Sequence, residues 1–279
     1  MAHSTSQPSG MPRRNFIQQT LAFSAILGVS ESLFAQSKMK TQLPFEKIEC
    51  EGAYAGHLQG VCADDDAKIY WSFTTKLVKT NSDGKILRQV EVPTHHGDLC
   101  YHDGKVYVAT NLGKFNQPAG QADSWVYVYD AASLDLLVKH PVQEAVHGAG
   151  GMEYHDGRFF VVGGLPADIE VNYVYEYDPE FKFLKRHVIP SGQTYLGIQT
   201  AAFHDGQWWF GCYGTPQELL RTTADFQEPK RFPYFASYGI VPLSPGKFLI
   251  GRGKNESAGQ IGWLVPATSD PEAGMKDAS

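Results

Sequence analysis

Short runs of alternating residue character recur along this chain. The segments SWVYVYD, from Ser124, and NYVYEYD, from Asn172, change face at every position, which is the period of a strand lying in a sheet. Each is preceded by a two-strand unit that repeats. GDLCYHDGKVYVATN, GGMEYHDGRFFVVGG and TAAFHDGQWWFGCYG are versions of one pattern, GIVPLSPGKFLIGRG is a fourth with Pro245-Gly246 in place of Asp-Gly, and GVCADDDAKIYWSF is a degenerate fifth. Asp103-Gly104, Asp156-Gly157 and Asp205-Gly206 are dipeptides suited to the tight hairpin turn, in which both central residues take positive φ. Runs such as LDLLVKHPV and FKFLKRHVIP supply a further strand after each alternating segment.

The unit therefore contains four antiparallel strands, and its copies begin roughly 40 to 50 residues apart, the spacing of propeller blades. Five copies predict an all-β fold, a five-bladed β-propeller of four-stranded antiparallel blades. The fifth copy runs out after QIGWLVPA, while FEKIECEG stands alone ahead of the first. Residues 45–52 are expected to complete the last blade, because closing the ring hides two sheet edges. The propeller domain is read as 45–267, with a linker at 37–44 and a polar C-terminal tail at 268–279.

Composition adds direction. With 24 Lys and Arg against 30 Asp and Glu, the net charge is -6, which argues against nucleic acid or an anionic membrane as a partner. The four cysteines form no CxxC pair and read as buried free thiols. There is no phosphate-binding glycine loop, dinucleotide fingerprint, nucleophile elbow or HExxH, so no nucleotide cofactor is expected. Residues 1–36, with Arg13-Arg14, Phe16 and an apolar run from Leu21 to Val29, resemble a twin-arginine export signal. The run is about half of what spans a bilayer. The resemblance implies a periplasmic or secreted protein with no membrane association after cleavage, and a monomer is expected.

The repeat sorts the histidines. His102, His155 and His204 recur with the hairpin turn and read as packing residues. His57, His95, His96 and His147 lie in the connections between blades, GAYAGHLQGV, VPTHHGDL and EAVHGAGGM, which meet at one mouth of the central channel. Imidazole is a common metal ligand, so a divalent ion, zinc or similar, held by His57, His96 and His147 is one expectation. A metal-free polar pocket and a purely structural role are the others. His95 and His96 are adjacent and point opposite ways in extended chain; His96, which abuts Gly97, is assigned to the axis. Asp98 is the acid expected near the axis, with orientation of His96 as its alternative role.

The fourth and fifth connections bring Tyr195, Gln199 and Tyr238 to the same mouth. Long loops between the second and third strands of each blade also open there. They carry Asn111, Asn172, Arg252 and Lys254, which with Gln59 and Gln199 form an expected polar, partly cationic rim for a small-molecule or oligosaccharide substrate. The expected catalytic set is His96, His147, Tyr195, Tyr238 and Arg252.

The blade pattern resembles the broad β-propeller superfamily that includes the streptogramin-lyase-like and gluconolactonase-like proteins, over residues 45–267. HLQGV, from His57 to Val61, resembles the first-blade motif of plant-type glutaminyl cyclases, with Leu58 where that motif has threonine. These resemblances imply architecture, because propellers host enzymes, receptors and scaffolds. The functional expectation is a lyase or hydrolase acting on a polar, carbohydrate-like or carboxylated substrate, with metal assistance as one option. The alternatives are a non-catalytic binding or scaffold propeller, and acyl-transfer cyclisation.

Overall fold

The computed structural model describes residues 42–278. The signal peptide expected at 1–36, and most of the linker, lie outside the described residues. The described chain opens with β1 (Ile48–Glu49) and then builds blades in sequence order. Blade 1 contains β2 (Leu58–Ala63), β3 (Ile69–Phe73), β4 (Lys76–Thr80) and β5 (Ile86–Glu91). Blade 2 contains β6 (His96–His102), β7 (Lys105–Asn111), β8 (Ser124–Asp130) and β9 (Leu136–Pro141). Blade 3 contains β10 (Ala149–His155), β11 (Arg158–Gly163), β12 (Asn172–Tyr177) and β13 (Phe183–Ile189). Blade 4 contains β14 (Tyr195–His204), β15 (Gln207–Tyr213), β16 (Glu218–Thr223) and β17 (Lys230–Phe232). Blade 5 contains β18 (Ile240–Pro242), β19 (Lys247–Glu256) and β20 (Gly259–Asp270), completed by β1 as the fourth strand, with β21 (Gly274–Asp277) added alongside on β20. All pairings are antiparallel, so the fold is a five-bladed β-propeller as the repeat predicts.

Ring closure follows the expected route. β1 pairs with β20 through Ile48 opposite Leu264 and Glu49 opposite Trp263, and Tyr54 exchanges two backbone hydrogen bonds with Gln260. The expected polar tail is a different matter. Residues up to Asp270 continue β20, and β21 pairs with that extension from Ala267 to Asp270. Two features explain this. The Asp270 carboxylate accepts from the amides of Glu272 and Ala273 and sets the turn, and Met275, the one large apolar residue of the segment, is buried between Phe232 and Ala267. The outer edge of β20 is thus shared by the two ends of the described chain.

The turn chemistry is as the dipeptides predict: Asp103, Asp156 and Asp205, with the glycine after each, all have positive φ. The recurring histidines form a ladder between blades. The ring of His102 stacks on Tyr154 and that of His155 on Phe203, each at 3.6 Å between centroids. His204 packs against Phe248 and bonds the Ser244 carbonyl. Trp208 and Trp209 face opposite sides of blade 4 and fill two different interblade cores. Cys50, Cys100 and Cys212 are buried, Cys62 is partly so, and all four are free thiols.

Candidate functional site

The inner strands of blades 1 to 4 share one irregularity. Their register slips between Leu58 and Gly60, between His96 and Leu99, between Ala149 and Gly151, and between Ile198 and Thr200. A bulge of this kind re-aims the residue within it. Here it turns Gln59 and Gln199 into a cavity of about 190 Å³ at the channel mouth. Gly97 and Gly150 form the floor of this cup, where a Cβ on Gly97 would lie 2.2 Å from the Gly150 carbonyl oxygen. Glycine is required because the two backbones meet there.

Below the floor, Asp98 closes the channel. It is buried, its Oδ2 accepts from the Ala201 amide at 3.1 Å, and the Val61 and Leu99 amides also bond it. Burial pushes its carboxyl well above the ordinary range, although the amide hydrogen bonds pull the other way. A separate cavity of about 460 Å³ lies beyond Asp98, lined by Cys62, Cys100 and Glu153, and it shares no lining residue with the cup.

Above the cup the mouth widens into an open cleft of about 850 Å³ bearing Tyr195, Thr215, Tyr238 and Asn255. Cup and cleft share three residues, His57, Leu196 and Tyr213. His57 Nε2 lies 3.3 Å from the Tyr213 hydroxyl, and its ring centroid is 6.0 Å from that of Tyr238. Burial, and then the neighbouring His95, lower the pKa of His57. Burial, and then Tyr238, raise that of Tyr213. The pair is therefore neutral at neutral pH, with a base and an acid in reach of each other. His95 and Leu196 hold φ of 61° and 62°, a conformation that costs non-glycine residues of order 1–3 kcal/mol and gathers at functional sites.

Of the residues expected here, several are brought together: His57, Gln59 and Gln199 line the cup, and Tyr195 and Tyr238 the cleft. Asn111 lines the cup too, but its amide is engaged, with Nδ2 donating to the Gly113 carbonyl and Oδ1 accepting from the Asp123 amide. It organises the loop that carries Phe115, whose ring lies against Gly148 and Gly150 as one wall of the cup.

Others are elsewhere. The assignment of His96 to the axis is reversed, and His95 lines the cup. The left-handed turn at His95 breaks the extended alternation, so His96 enters the interface of blades 1 and 2. There its Nε2 lies 2.7 Å from the Tyr129 hydroxyl and its ring meets Tyr127 edge-on. Burial lowers its pKa to about 3. His147 is buried and bonds the Gln117 carbonyl through Nδ1 at 2.8 Å, which anchors the Phe115 loop. Asn172 bonds Ser191 and Thr194 inside blade 3. Arg252 pairs with Asp277 of β21 at 2.9 Å and donates to the Phe235 carbonyl, and Lys254 pairs with Glu256 at 2.6 Å. Neither cation reaches the mouth, whose lining among the described residues is free of Lys, Arg, Asp and Glu.

The expected metal ligands consequently do not converge, since His96 and His147 turn away from His57. Among the described residues no group of three or more His, Cys, Asp or Glu side chains is disposed to hold a metal ion. Sequence reasoning missed Tyr213. It occupies the last position of its second strand, as Asn111 does in blade 2, so aligning strand ends as well as interblade connections would have found it.

No family model matches the chain, and no curated protein sequence matches it. Solved structures do resemble it. A Bacteroides ovatus xyloglucan PUL GH43B structure superposes with a TM-score of 0.61 at 14% identity, covering 84% of this chain and 56% of that one. The Myxococcus xanthus glutaminyl cyclase superposes with a TM-score of 0.54 at 11% identity, covering 80% of this chain and 95% of that one. A protein of unknown function from Bacteroides caccae superposes with a TM-score of 0.50 at 14% identity, covering 84% and 94%. At these identities the likeness shows the propeller fold.

Proposed function

We propose that this protein is an exported lyase or hydrolase, with elimination the favoured chemistry, acting on a small polyhydroxylated substrate that carries a carbonyl or carboxyl group. The observation that carries the reading is the desolvated His57–Tyr213 pair at the junction of two cavities. Glycoside hydrolysis through paired carboxylates is disfavoured, because among the described residues no Asp or Glu lines either cavity. A histidine and a tyrosine suffice for β-elimination. His57 takes the proton from the carbon next to the carbonyl, and the C–H electron pair becomes the new double bond. The β C–O bond breaks, and its oxygen leaves with the proton of the Tyr213 hydroxyl. Proton return from the imidazolium to the tyrosinate then resets the pair without any co-reactant. The Gln59 amide, which no protein group holds among the described residues, can donate to the carbonyl oxygen as charge develops. Ester or lactone hydrolysis uses the same two groups on water.

The twin-arginine pattern supports a periplasmic or secreted location, and we treat the protein as a monomer without a nucleotide cofactor. The test is to incubate it with uronate oligosaccharides, aldonolactones and a peptide with N-terminal glutamine, following the ultraviolet absorbance of an unsaturated product, acid release and ammonia release. His57→Ala and Tyr213→Phe should abolish turnover while thermal melting stays unchanged. Unaltered turnover in both variants refutes the assignment. Ligand binding without turnover favours the non-catalytic reading, and ammonia release from the peptide replaces elimination with cyclisation.

A further inference from the structure

The two cavities at the mouth differ in a way that bears on how a chain-like substrate enters. The cup is closed below, by backbone at Gly97 and Gly150 and then by Asp98. It is closed on one side by Phe115, whose loop is fixed by His147 and by Asn116, the latter accepting from the Leu165 amide at 3.0 Å. Its volume, about 190 Å³, slightly exceeds that of a cavity of about 150 Å³ known to take one benzene. It therefore fits a single substituted six-membered ring. The outer cleft, at about 850 Å³, falls within the roughly 300–1,000 Å³ range of sites for much larger ligands. Between them stand His57, Leu196 and Tyr213.

We propose that the site is exo-acting: one terminal ring of a polyhydroxylated chain enters the blind cup, the rest of the chain lies in the outer cleft, and the bond broken is the one held between His57 and Tyr213. This rests on the elimination reading, and the step is the one written above, with the released ring carrying either the new double bond or the freed hydroxyl. An internal segment of a chain cannot thread the cup, because among the described residues the Gly97 and Gly150 backbones close it below and Phe115 closes one side. Phe115 supplies a face for the ring, Gln59 supplies a free amide for its hydroxyls, and Gln199, whose Nε2 donates to the Leu196 carbonyl at 2.7 Å, supplies only its Oε1 as an acceptor.

A galacturonate tetrasaccharide labelled at its reducing end is the probe, with a second preparation carrying bulky aryl groups on both termini. Product sizes are followed by chromatography, and binding is followed by calorimetry. Exo action releases single units from the earliest time points, and the doubly capped tetrasaccharide is neither cleaved nor bound as tightly as the open one. Gln59→Trp, which fills the cup from its bulge, lowers affinity for monomeric galacturonate by tenfold or more. Internal cleavage to disaccharides at early times, or cleavage of the capped probe, overturns the inference while leaving the elimination reading intact. If no turnover occurs, the elimination reading fails, and binding alone decides the cup. Equal affinity for capped and open probes, or an unchanged monomer affinity in Gln59→Trp, overturns it.

Discussion

Asp98 Oδ2 accepts a hydrogen bond from the Ala201 amide at 3.1 Å, a link between blades 2 and 4 across the channel. With the Val61 amide also bonded, one carboxyl ties three inner strands together. A Cβ on Gly60 would come within 2.4 Å of the Asp98 Cα, and one on Gly151 within 3.1 Å of its Cβ, so the neighbouring blades are shaped around it. Replacing Asp98 with Ala leaves at least two buried N–H groups without an acceptor, each worth about 1–3 kcal/mol. Asp98→Ala should therefore lose on the order of 3 kcal/mol in urea denaturation, and Asp98→Asn, which keeps one acceptor oxygen, distinctly less. Equal stability of Asp98→Ala and the parent protein would remove the tie from the account.

The pH profile of catalysis should report His57. Burial lowers its pKa and so does the nearby His95, so the neutral base persists to a pH below the ordinary histidine range of about 6.5. Activity is expected to hold through neutrality and fall as His57 becomes protonated. His95→Gln removes one of the two lowering influences, so its acid limb should move to higher pH. A limb that stays in place, or moves to lower pH, contradicts the assignment of His57 as the base.

Arg252 fastens β21. It bonds Asp277, the Tyr234 hydroxyl and the Phe235 carbonyl, and its guanidinium lies 5.2 Å from the centre of the Tyr234 ring. Arg252→Met should cost about 1 kcal/mol, since Asp277 is half-exposed and such pairs contribute little. Turnover per folded molecule should not change. Deleting residues 271–279 exposes the edge of β20 and should lower the melting temperature further. A large loss of turnover in Arg252→Met at unchanged stability would return this residue to the catalytic set.

How much of this was legible follows from what repeats. The Asp-Gly turns, the alternating third strands and the unpaired strand at 45–52 recur or complement one another at a fixed spacing, so architecture and closure could be read directly. The packing roles of His102, His155 and His204 were legible for the same reason. Side-chain direction at the mouth was not. It depends on one left-handed residue, His95, and on bulges that leave no mark in the residue pattern beyond glycines. Arg252 and Lys254 read as rim cations because a long loop was expected at 251–259, yet β19 runs through both to Glu256, and their partners are Asp277, in the expected polar tail, and Glu256. Tyr213 was not legible because it comes from a strand end, where the repeat carries no histidine to mark the mouth.

The cavity beyond Asp98 gives a prediction independent of catalysis. Glu153 faces this water-accessible space but is enclosed by protein on its other sides, with Cys62, Cys100 and Asp98 close enough to influence one another's ionisation. Among the described residues no Lys, Arg or His lines the cavity. Burial pushes the Glu153 carboxyl up to about 8, only partly opposed by the hydrogen bond from the Tyr154 amide. In the unfolded chain the same group ionises near 4.5, so between these two values the folded protein keeps a proton that the unfolded chain has released. The stability contributed by the neutral form is full below about 4.5 and is lost as pH rises through about 8. Glu153→Gln mimics the neutral form at every pH. Relative to the parent protein it should gain stability steadily across that window, by at most about 5 kcal/mol at its alkaline end and by less where water in the cavity screens the charge. Urea titrations at a series of pH values measure the difference directly, and a difference that is flat or that shrinks with rising pH would show that Glu153 is ionised in the fold.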